Sequence, residues 1–213
     1  YIIKCSQEVN LNRFAGMDCY VGVDLAATSD LTAVAYLVVL DGTYYFKTHY
    51  YLPESALKDK ADKELYKYWK QQGYLTVTSG NVTDYDYITT DMLRYADVVN
   101  IQSVGYDKYN ATQWAIDSTE QGLPLEEYPQ TLGNFNMPTR ELERLILSGK
   151  AVIDNNEINR YCFRNVTLKS DYNGNVKPNK AVDKKKIDGT IAMIQALGMY
   201  LRTPHYTNEI LTI

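Results

Sequence analysis

Short apolar runs separated by polar turns fill the first quarter of the chain and indicate β-strands. Three such runs follow one another, and the dipeptide Asp41-Gly42 between the second and the third is typical of a tight hairpin. We therefore expect an antiparallel meander of three strands, Tyr20–Asp24, Leu31–Leu40 and Thr43–Leu52. The third run alternates aromatic and polar residues, which is typical of a half-exposed strand.

Beyond this meander, apolar residues at helical spacing alternate with further short strands, and caps and glycines mark the ends of the helices. The predicted helices are one that opens in Pro53–Ser55 and stops at Gly73, then Asp86–Val99, Ala111–Glu120, Thr139–Ser148, Glu157–Asn165 and Lys184–Leu201. The predicted strands are Leu75–Val77, Val104–Asp107, Pro124–Tyr128, Ala151–Ile153, and the pair Val166–Asp171 and Val176–Lys180 around Asn173-Gly174. This order predicts an α/β domain with a mixed sheet flanked by helices.

The pattern also suggests where the domain begins and ends. Residues 1–19 show little periodicity and are expected to be the end of a linker. Residues 20–203 form one predicted domain, and residues 204–213 form a C-terminal tail because Pro204 blocks continuation of the last helix.

Composition narrows the class of protein. The chain has 213 residues, of which 45% are hydrophobic, and it has no apolar run of transmembrane length. Its three cysteines are too few and too scattered for a disulfide framework, which favours a reducing compartment. Tyrosine is abundant, with 20 residues against 4 Phe and 2 Trp, and part of this excess is expected on a contact surface.

Charge is unevenly distributed along the chain. The net charge of −4 weighs against a nucleic-acid-binding protein. Residues 160–186, however, contain eight basic and only two acidic side chains. Such a run is usually a solvated face, but its last four lysines are candidates for contacts with DNA phosphates. These lysines are Lys180, Lys184, Lys185 and Lys186.

Three acidic residues occur where an α/β sheet places its functional sites. Asp24 ends the first predicted strand, Asp107 ends the fourth, and Asp188 lies near the start of the last helix. If the first and fourth strands are parallel neighbours, their acids project into one crevice, and the closing helix brings the third acid across it. Clustered carboxylates repel one another unless cations neutralise them, and all-oxygen ligand sets select Mg²⁺ or Mn²⁺. Two such ions can clamp a phosphodiester during hydrolysis.

Each acid also has a plain structural interpretation. Asp24 and Asp107 can be strand-end residues that bond their own backbone. Asp188 can simply be favoured by the helix N-terminus. Spacing alone leaves both interpretations open.

Several motifs resemble the nuclease domain of tailed-bacteriophage terminase large subunits. The opening Gly22–Ala26 with Asp30–Ala33 resembles the first acidic motif of that family, Val104–Asp107 resembles the second, and Lys186–Ala192 resembles the third. Further similar stretches are Gly73–Gly80, Tyr85–Ile88, Pro138–Arg144 and Ser148–Lys150. The ordered set covers roughly residues 16–202 and is more specific than any one motif.

The resemblance implies a ribonuclease H-like fold and a two-metal endonuclease that cuts concatemeric viral double-stranded DNA during genome packaging in the cytoplasm of a bacterial host. Two divalent cations, Mg²⁺ or Mn²⁺, would be held by Asp24, Asp107 and Asp188, with Asp30 as a candidate accessory ligand. Implied partners are the portal, the small terminase subunit and an N-terminal ATPase motor in the same full-length chain. No Gly-x-x-x-x-Gly-Lys-Ser/Thr phosphate loop occurs here, so we expect an excised C-terminal domain.

Two other functions fit parts of the sequence. An actin- or hexokinase-like nucleotide binder also begins with an acid and a small-residue turn, but the turn after Asp24 lacks glycine. A non-catalytic module could use its tyrosines to dock on the motor or portal. Loss of cleavage with retained folding in Asp107→Ala would distinguish the nuclease from this module.

Overall fold

The computed structural model describes residues 1–26, 30–59, 62–109, 111–182 and 185–204. Within these ranges a mixed eight-stranded sheet forms the centre of the molecule, and a separate hairpin lies beside it. The strands are β1 Ser6–Gln7, β2 Asp18–Asp24, β3 Thr32–Leu40, β4 Thr43–Pro53, β5 Thr76–Thr78, β6 Asn100–Tyr106, β7 Leu125–Glu127, β8 Ala151–Asp154, β9 Val166–Ser170 and β10 Val176–Lys180. The helices are α1 Ile2–Cys5, α2 Ala56–Asp59, α3 Lys63–Gln71, α4 Tyr85–Ala96, α5 Thr112–Glu120, α6 Leu132–Leu147, α7 Glu157–Arg164 and α8 Asp188–Arg202.

The sheet has the order β1-β8-β4-β3-β2-β6-β7, and β5 pairs with the end of β4. Strands β2, β3 and β4 form the predicted antiparallel meander. Strand β6 lies parallel to β2, β7 parallel to β6, and β8 parallel to β4. The predicted fold class, a three-strand antiparallel meander extended by parallel strands and flanked by helices, is therefore confirmed.

Helix α8 is the main support of the sheet. Every residue from Asp188 to Met199 is buried, and the helix packs directly on β2 and β3. This close approach needs Gly22 on β2, because a Cβ there would collide with the backbone of α8 at Ala192 and Ala196. Helices α3, α6 and α7 complete this layer, while α4 and α5 cover the opposite face of the sheet.

Residues 1–19 pack against the sheet, where the sequence pattern had suggested a linker. Strand β1 pairs with β8, and Val9, Leu11 and Phe14 are buried in the same cluster as α4 and α5. The segment lacks periodicity because it consists of the one-turn helix α1, the short strand β1 and one turn of 3₁₀ helix, joined by irregular backbone, before β2 begins at Asp18. No pattern of period 2 or 3.6 develops over so few residues.

Several helix boundaries differ from prediction. Helix α6 begins at Leu132 instead of Thr139, and Thr131 caps it by accepting a hydrogen bond from the Asn134 amide. Pro138 lies inside the helix although proline cannot donate to the carbonyl of Asn134. The Tyr128 hydroxyl donates to that carbonyl instead, at 2.7 Å.

The other two differences are smaller. The helix predicted to stop at Gly73 is divided into α2 and α3, and α8 begins at Asp188 rather than Lys184. Residue Lys184 itself lies outside the described ranges.

The described tyrosines are divided between the core and the surface. Seven of the described tyrosines are buried, which are Tyr20, Tyr36, Tyr50, Tyr51, Tyr66, Tyr106 and Tyr128. Five are exposed, which are Tyr1, Tyr68, Tyr87, Tyr109 and Tyr172. No helix in the described ranges is long and apolar enough to cross a membrane.

Candidate active site

Strand pairing brings Asp24 and Asp107 together. Val23 on β2 pairs with Tyr106 on the parallel strand β6. The acids that follow these two residues, Asp24 and Asp107, therefore lie side by side at the carboxyl ends of the two strands. Side chains alternate between the two faces of a strand. Gly22 and Gly105 both face α8, and the positions two residues later, Asp24 and Asp107, fall on that same face.

Helix α8 supplies the third acid. Asp188 is its first residue and lies one turn before Ala192, which sits on Gly22 of β2. Asp188 is only 9% exposed, and among the described residues its buried Oδ2 atom has no hydrogen-bond partner. Burial, and then the nearby charge of Asp30, raises the pKa of Asp188 to about 6.

The charges of the other two acids act on Asp24. The pKa of Asp24 is raised well above its ordinary value, first by burial and then by the charge of Asp188, with a smaller contribution from Asp107. A carboxylate in such surroundings is charged only at a cost in free energy, because like charges and a low dielectric both oppose ionisation.

Gln130 joins two of these acids and was not predicted from the sequence. Its side-chain Nε2 donates to Asp24 Oδ1 and its backbone N–H donates to Asp107 Oδ2, both at 3.0 Å. The other oxygen of Asp107 accepts from the Tyr109 amide at 3.0 Å. Gln130 lies in the loop between β7 and α6, beyond the carboxyl end of a strand, where α/β sheets place their functional sites. This position is the only feature of the sequence that could have pointed to Gln130.

Asp30 and Lys186 form an ion pair beside the site. Burial would raise the pKa of Asp30, but the hydrogen bond and positive charge of Lys186 outweigh it and lower the pKa. Lys186 pairs with Asp30 and is only 9% exposed. Its side chain therefore does not face solvent, as that of a lysine in contact with a phosphate would. Asp30, the predicted accessory ligand, is likewise engaged with this lysine.

The remaining predicted lysines have different environments. Lys180, at the end of β10, is half-buried, and its positive charge acts on Asp24, Asp30 and Asp188. Lys185 lies 5.7 Å from the centre of the Tyr161 ring. Lys184 lies outside the described residues.

Comparison with known proteins identifies the family. The sequence profile described as "Terminase large subunit, endonuclease domain" matches residues 5–203, which is nearly the whole chain. The chain belongs to the terminase large subunit endonuclease domain family. The family predicted from the sequence motifs is therefore confirmed.

Individual relatives agree with this assignment. Protein YmfN of Escherichia coli strain K12 is 31% identical over 210 residues, covering 90% of this chain and 45% of that protein. The terminase large subunit of Enterobacteria phage HK97 is 29% identical over 187 residues, covering 84% of this chain and 36% of that protein. The chain thus spans less than half the length of either relative.

Solved structures of terminases share the fold. The crystal structure of the HK97 large terminase matches 92% of this chain and 42% of its own, with a TM-score of 0.82 and 26% sequence identity. The magnesium-bound large terminase nuclease from the thermophilic phage G20c matches 85% and 80% of the two chains, with a TM-score of 0.57 and 12% identity. The latter likeness concerns the fold alone, which is the predicted ribonuclease H-like mixed sheet.

The acids of this terminase domain fit a hard divalent cation in their chemistry. They offer only oxygen ligands, and the buried Oδ2 of Asp188 has no hydrogen-bond partner among the described residues. Within the described ranges, no three His, Cys, Asp or Glu side chains already form a metal-binding cluster. Two of the three predicted ligands instead accept hydrogen bonds from Gln130.

His49, which lies within the described ranges, does not contribute to this terminase site. It is half-buried on β4 and hydrogen-bonds the Tyr95 hydroxyl at 2.9 Å. Burial lowers the pKa of His49 to about 4. The second histidine, His205, lies outside the described residues.

Proposed function

We propose that this terminase domain is a metal-dependent endonuclease that cuts concatemeric viral double-stranded DNA during genome packaging. One observation carries the proposal: Asp24 and Asp107 lie at the ends of neighbouring parallel strands and are joined by Gln130, and Asp188 lies near enough for its charge to act on Asp24. A cation removes the free-energy cost of holding these charges together.

We propose that Asp24, Asp107 and Asp188 hold two divalent cations, Mg²⁺ or Mn²⁺. Bound cations would supply Lewis-acid activation of water and neutralise charge on the scissile phosphate. Asp24 ends β2, Asp107 directly follows β6 and Asp188 begins α8, so regular secondary structure holds all three proposed ligands. The magnesium seen with the G20c nuclease supports this choice of ion.

The chain's own residues would also position DNA. Lys180 is half-buried beside the acids and is the best-placed of the described lysines to approach a phosphate. Asp30 is assigned as the counter-ion of Lys186, with a role as accessory ligand only if that pair opens. The net charge of −4 implies weak, salt-sensitive DNA binding by the domain alone.

In the full-length protein, we propose that an N-terminal ATPase motor precedes this domain and presents DNA to it. The matched relatives are more than twice as long as the aligned segment, which leaves room for such a motor. The portal and the small terminase subunit are the proposed partners, and the host cytoplasm is the proposed location. The domain boundary near residue 20 stays a prediction.

Plasmid cleavage by Asp107→Ala tests the proposal. With Mn²⁺ the unmodified chain should linearise plasmid, and Asp107→Ala should be slower by at least about 100-fold, because one ligand of the cations is lost. Glu126→Ala is the control, since it removes an exposed carboxylate on the neighbouring strand β7. Both variants should keep the circular dichroism spectrum of the parent. Cleavage by Asp107→Ala at the parent rate would refute the ligand assignment.

A further inference from the structure

We propose that Gln130 is a positioning residue that holds the Asp24 and Asp107 carboxylates in the orientation needed to bind divalent cations. This inference rests on the proposed nuclease function. It assigns to Gln130 a role that acts through the two acids rather than through contact with DNA.

Among the described residues, Gln130 alone supplies a hydrogen-bond donor to each of the two acids. Gln130 donates from two different groups to acids on two different strands, Nε2 to Asp24 and N–H to Asp107. Both groups belong to one residue, so the reach of its side chain limits how far apart the two carboxylates can lie. Hydrogen bonds to ionised carboxylates are stronger than those between neutral groups.

Gln130 is itself held firmly, which a positioning residue requires. Its backbone carbonyl oxygen accepts from Lys177 Nζ at 3.0 Å, so its backbone N–H, its backbone carbonyl and its side-chain Nε2 are all engaged. On one side, the Tyr128 amide donates to the Tyr106 carbonyl at 2.6 Å. On the other side, Thr131 caps α6. The residue is thus tied to β6, to the β9–β10 hairpin and to α6.

The contacts leave coordination capacity on the acids. Gln130 occupies Oδ1 of Asp24, and no described hydrogen bond involves Oδ2 of that residue. Each carboxylate oxygen has two lone pairs, so the oxygens of Asp107 can accept a hydrogen bond and still bind a cation. Groups of this kind around metal ligands fix their orientation, and their removal typically weakens metal binding about 10- to 100-fold.

A competing arrangement makes the opposite prediction. If Gln130 closes the site by holding the acids away from the cation, its removal must strengthen metal binding. The two roles therefore differ in the sign of the effect, which a binding measurement reads directly.

The test uses Gln130→Met, which keeps the length of the side chain and the backbone N–H but removes the Nε2 donor. Gln113→Met is a matched control, because Gln113 Nε2 donates to Asp117 Oδ1 at 2.7 Å on the exposed face of α5. Isothermal titration of the metal-free chains with MnCl₂ gives the affinity. The half-saturating Mn²⁺ concentration for plasmid cleavage gives a second readout.

We expect Mn²⁺ to bind Gln130→Met about 10- to 100-fold more weakly than the parent, and Gln113→Met as tightly as the parent. The half-saturating Mn²⁺ concentration for cleavage should rise by the same factor, while the rate at saturating Mn²⁺ changes less. Unchanged or tighter Mn²⁺ binding by Gln130→Met would overturn the positioning role alone. Absence of Mn²⁺ binding by the parent chain would instead overturn the proposed function on which this inference rests.

Discussion

Two buried carboxylates have opposite surroundings. Asp154, at the end of β8, accepts a hydrogen bond from the Val9 amide at 3.1 Å and forms an ion pair with Lys47 at 2.9 Å. Asp188, at the start of α8, is buried to a similar degree, yet among the described residues its Oδ2 has no hydrogen-bond partner, and Asp30 acts on it with like charge.

The difference separates a structural acid from a functional one. A buried charge that is paired and hydrogen-bonded contributes to the fold without needing a ligand. An acid that the fold compensates only in part ionises at a cost in free energy, and a bound cation would lower that cost. Proteins depart from the rule that buried charges are paired mainly at functional sites. This terminase domain departs from it where the carboxyl ends of β2 and β6 meet the start of α8.

The largest expected effect is a loss of metal binding in Asp188→Asn. The substitution keeps the shape of the side chain but removes a charge that a cation needs, so Mn²⁺ affinity and cleavage should fall by more than about 100-fold. Stability of the metal-free chain should not fall, because an uncompensated charge has been removed. Titration with MnCl₂ and urea denaturation measure the two effects. Full Mn²⁺ affinity in this variant would show that Asp188 is a structural acid like Asp154.

Asp154→Ala should give the reverse result, with lower stability and unchanged metal binding. It leaves Lys47 without its counter-charge and the Val9 amide without its acceptor. Removing one partner of a fully buried pair costs about 3–5 kcal/mol, and because Lys47 is 23% exposed we expect about 2–3 kcal/mol here. Urea denaturation measures the loss, and MnCl₂ titration is the control. A weakened Mn²⁺ affinity would mean that the two carboxylates are coupled rather than independent.

The pH dependence of stability is the next effect in size. Asp188 releases its proton near pH 6 in the folded chain and near its ordinary pKa of 3.8 when unfolded. Between these values the folded state binds more protons at Asp188, so the contribution of this residue to the free energy of unfolding of the metal-free chain should fall as pH rises, by roughly 1.4 kcal/mol per pH unit, and level off above about pH 6. The raised pKa of Asp24 acts in the same direction. His49 acts in the opposite direction, because burial lowers its pKa from 6.5 to about 4 and its contribution to stability rises with pH over that range.

Urea denaturation of the parent chain and of Asp188→Asn in EDTA, at several pH values between 4 and 8, isolates the contribution of Asp188, because His49 is present in both chains. The stability of the parent relative to that of Asp188→Asn should fall from pH 4 to pH 6, and saturating Mn²⁺ should raise the stability of the parent at neutral pH. A difference in stability between the two chains that does not change with pH would contradict the unfavourable burial of Asp188.

Much of this fold was predictable from the sequence because its elements carry local signals. The meander follows from three apolar runs and one Asp-Gly turn, and the β9–β10 hairpin from Asn173-Gly174. The start of α6 was missed because Pro138 is ordinarily a helix breaker, and the compensating hydroxyl of Tyr128 comes from a neighbouring loop. Contacts between distant segments of this kind leave no periodic signal.

The candidate site was predictable to a similar extent. Asp24 and Asp107 could be placed because acids at the ends of parallel neighbours share an edge of the sheet. Gln130 could not, because a loop residue is oriented by contacts on several sides. The lysine run was interpreted from its charge alone, although burial divides it: Lys186 turns inward to Asp30, whereas Lys180 is half-buried.

The smallest expected effects compare these two lysines. Lys186→Met should change stability by less than about 1 kcal/mol, since the side chain of Asp30 is 39% exposed and solvent screens the pair. Because Lys186 is held by Asp30, its removal should leave the salt dependence of DNA binding unchanged. Lys180→Met should reduce the slope of log K against log salt concentration by about one, as the loss of one phosphate contact does. Fluorescence anisotropy with duplex DNA at several salt concentrations measures both slopes. A reduced slope in Lys186→Met would show that the ion pair opens and that Lys186 contacts phosphate when DNA binds.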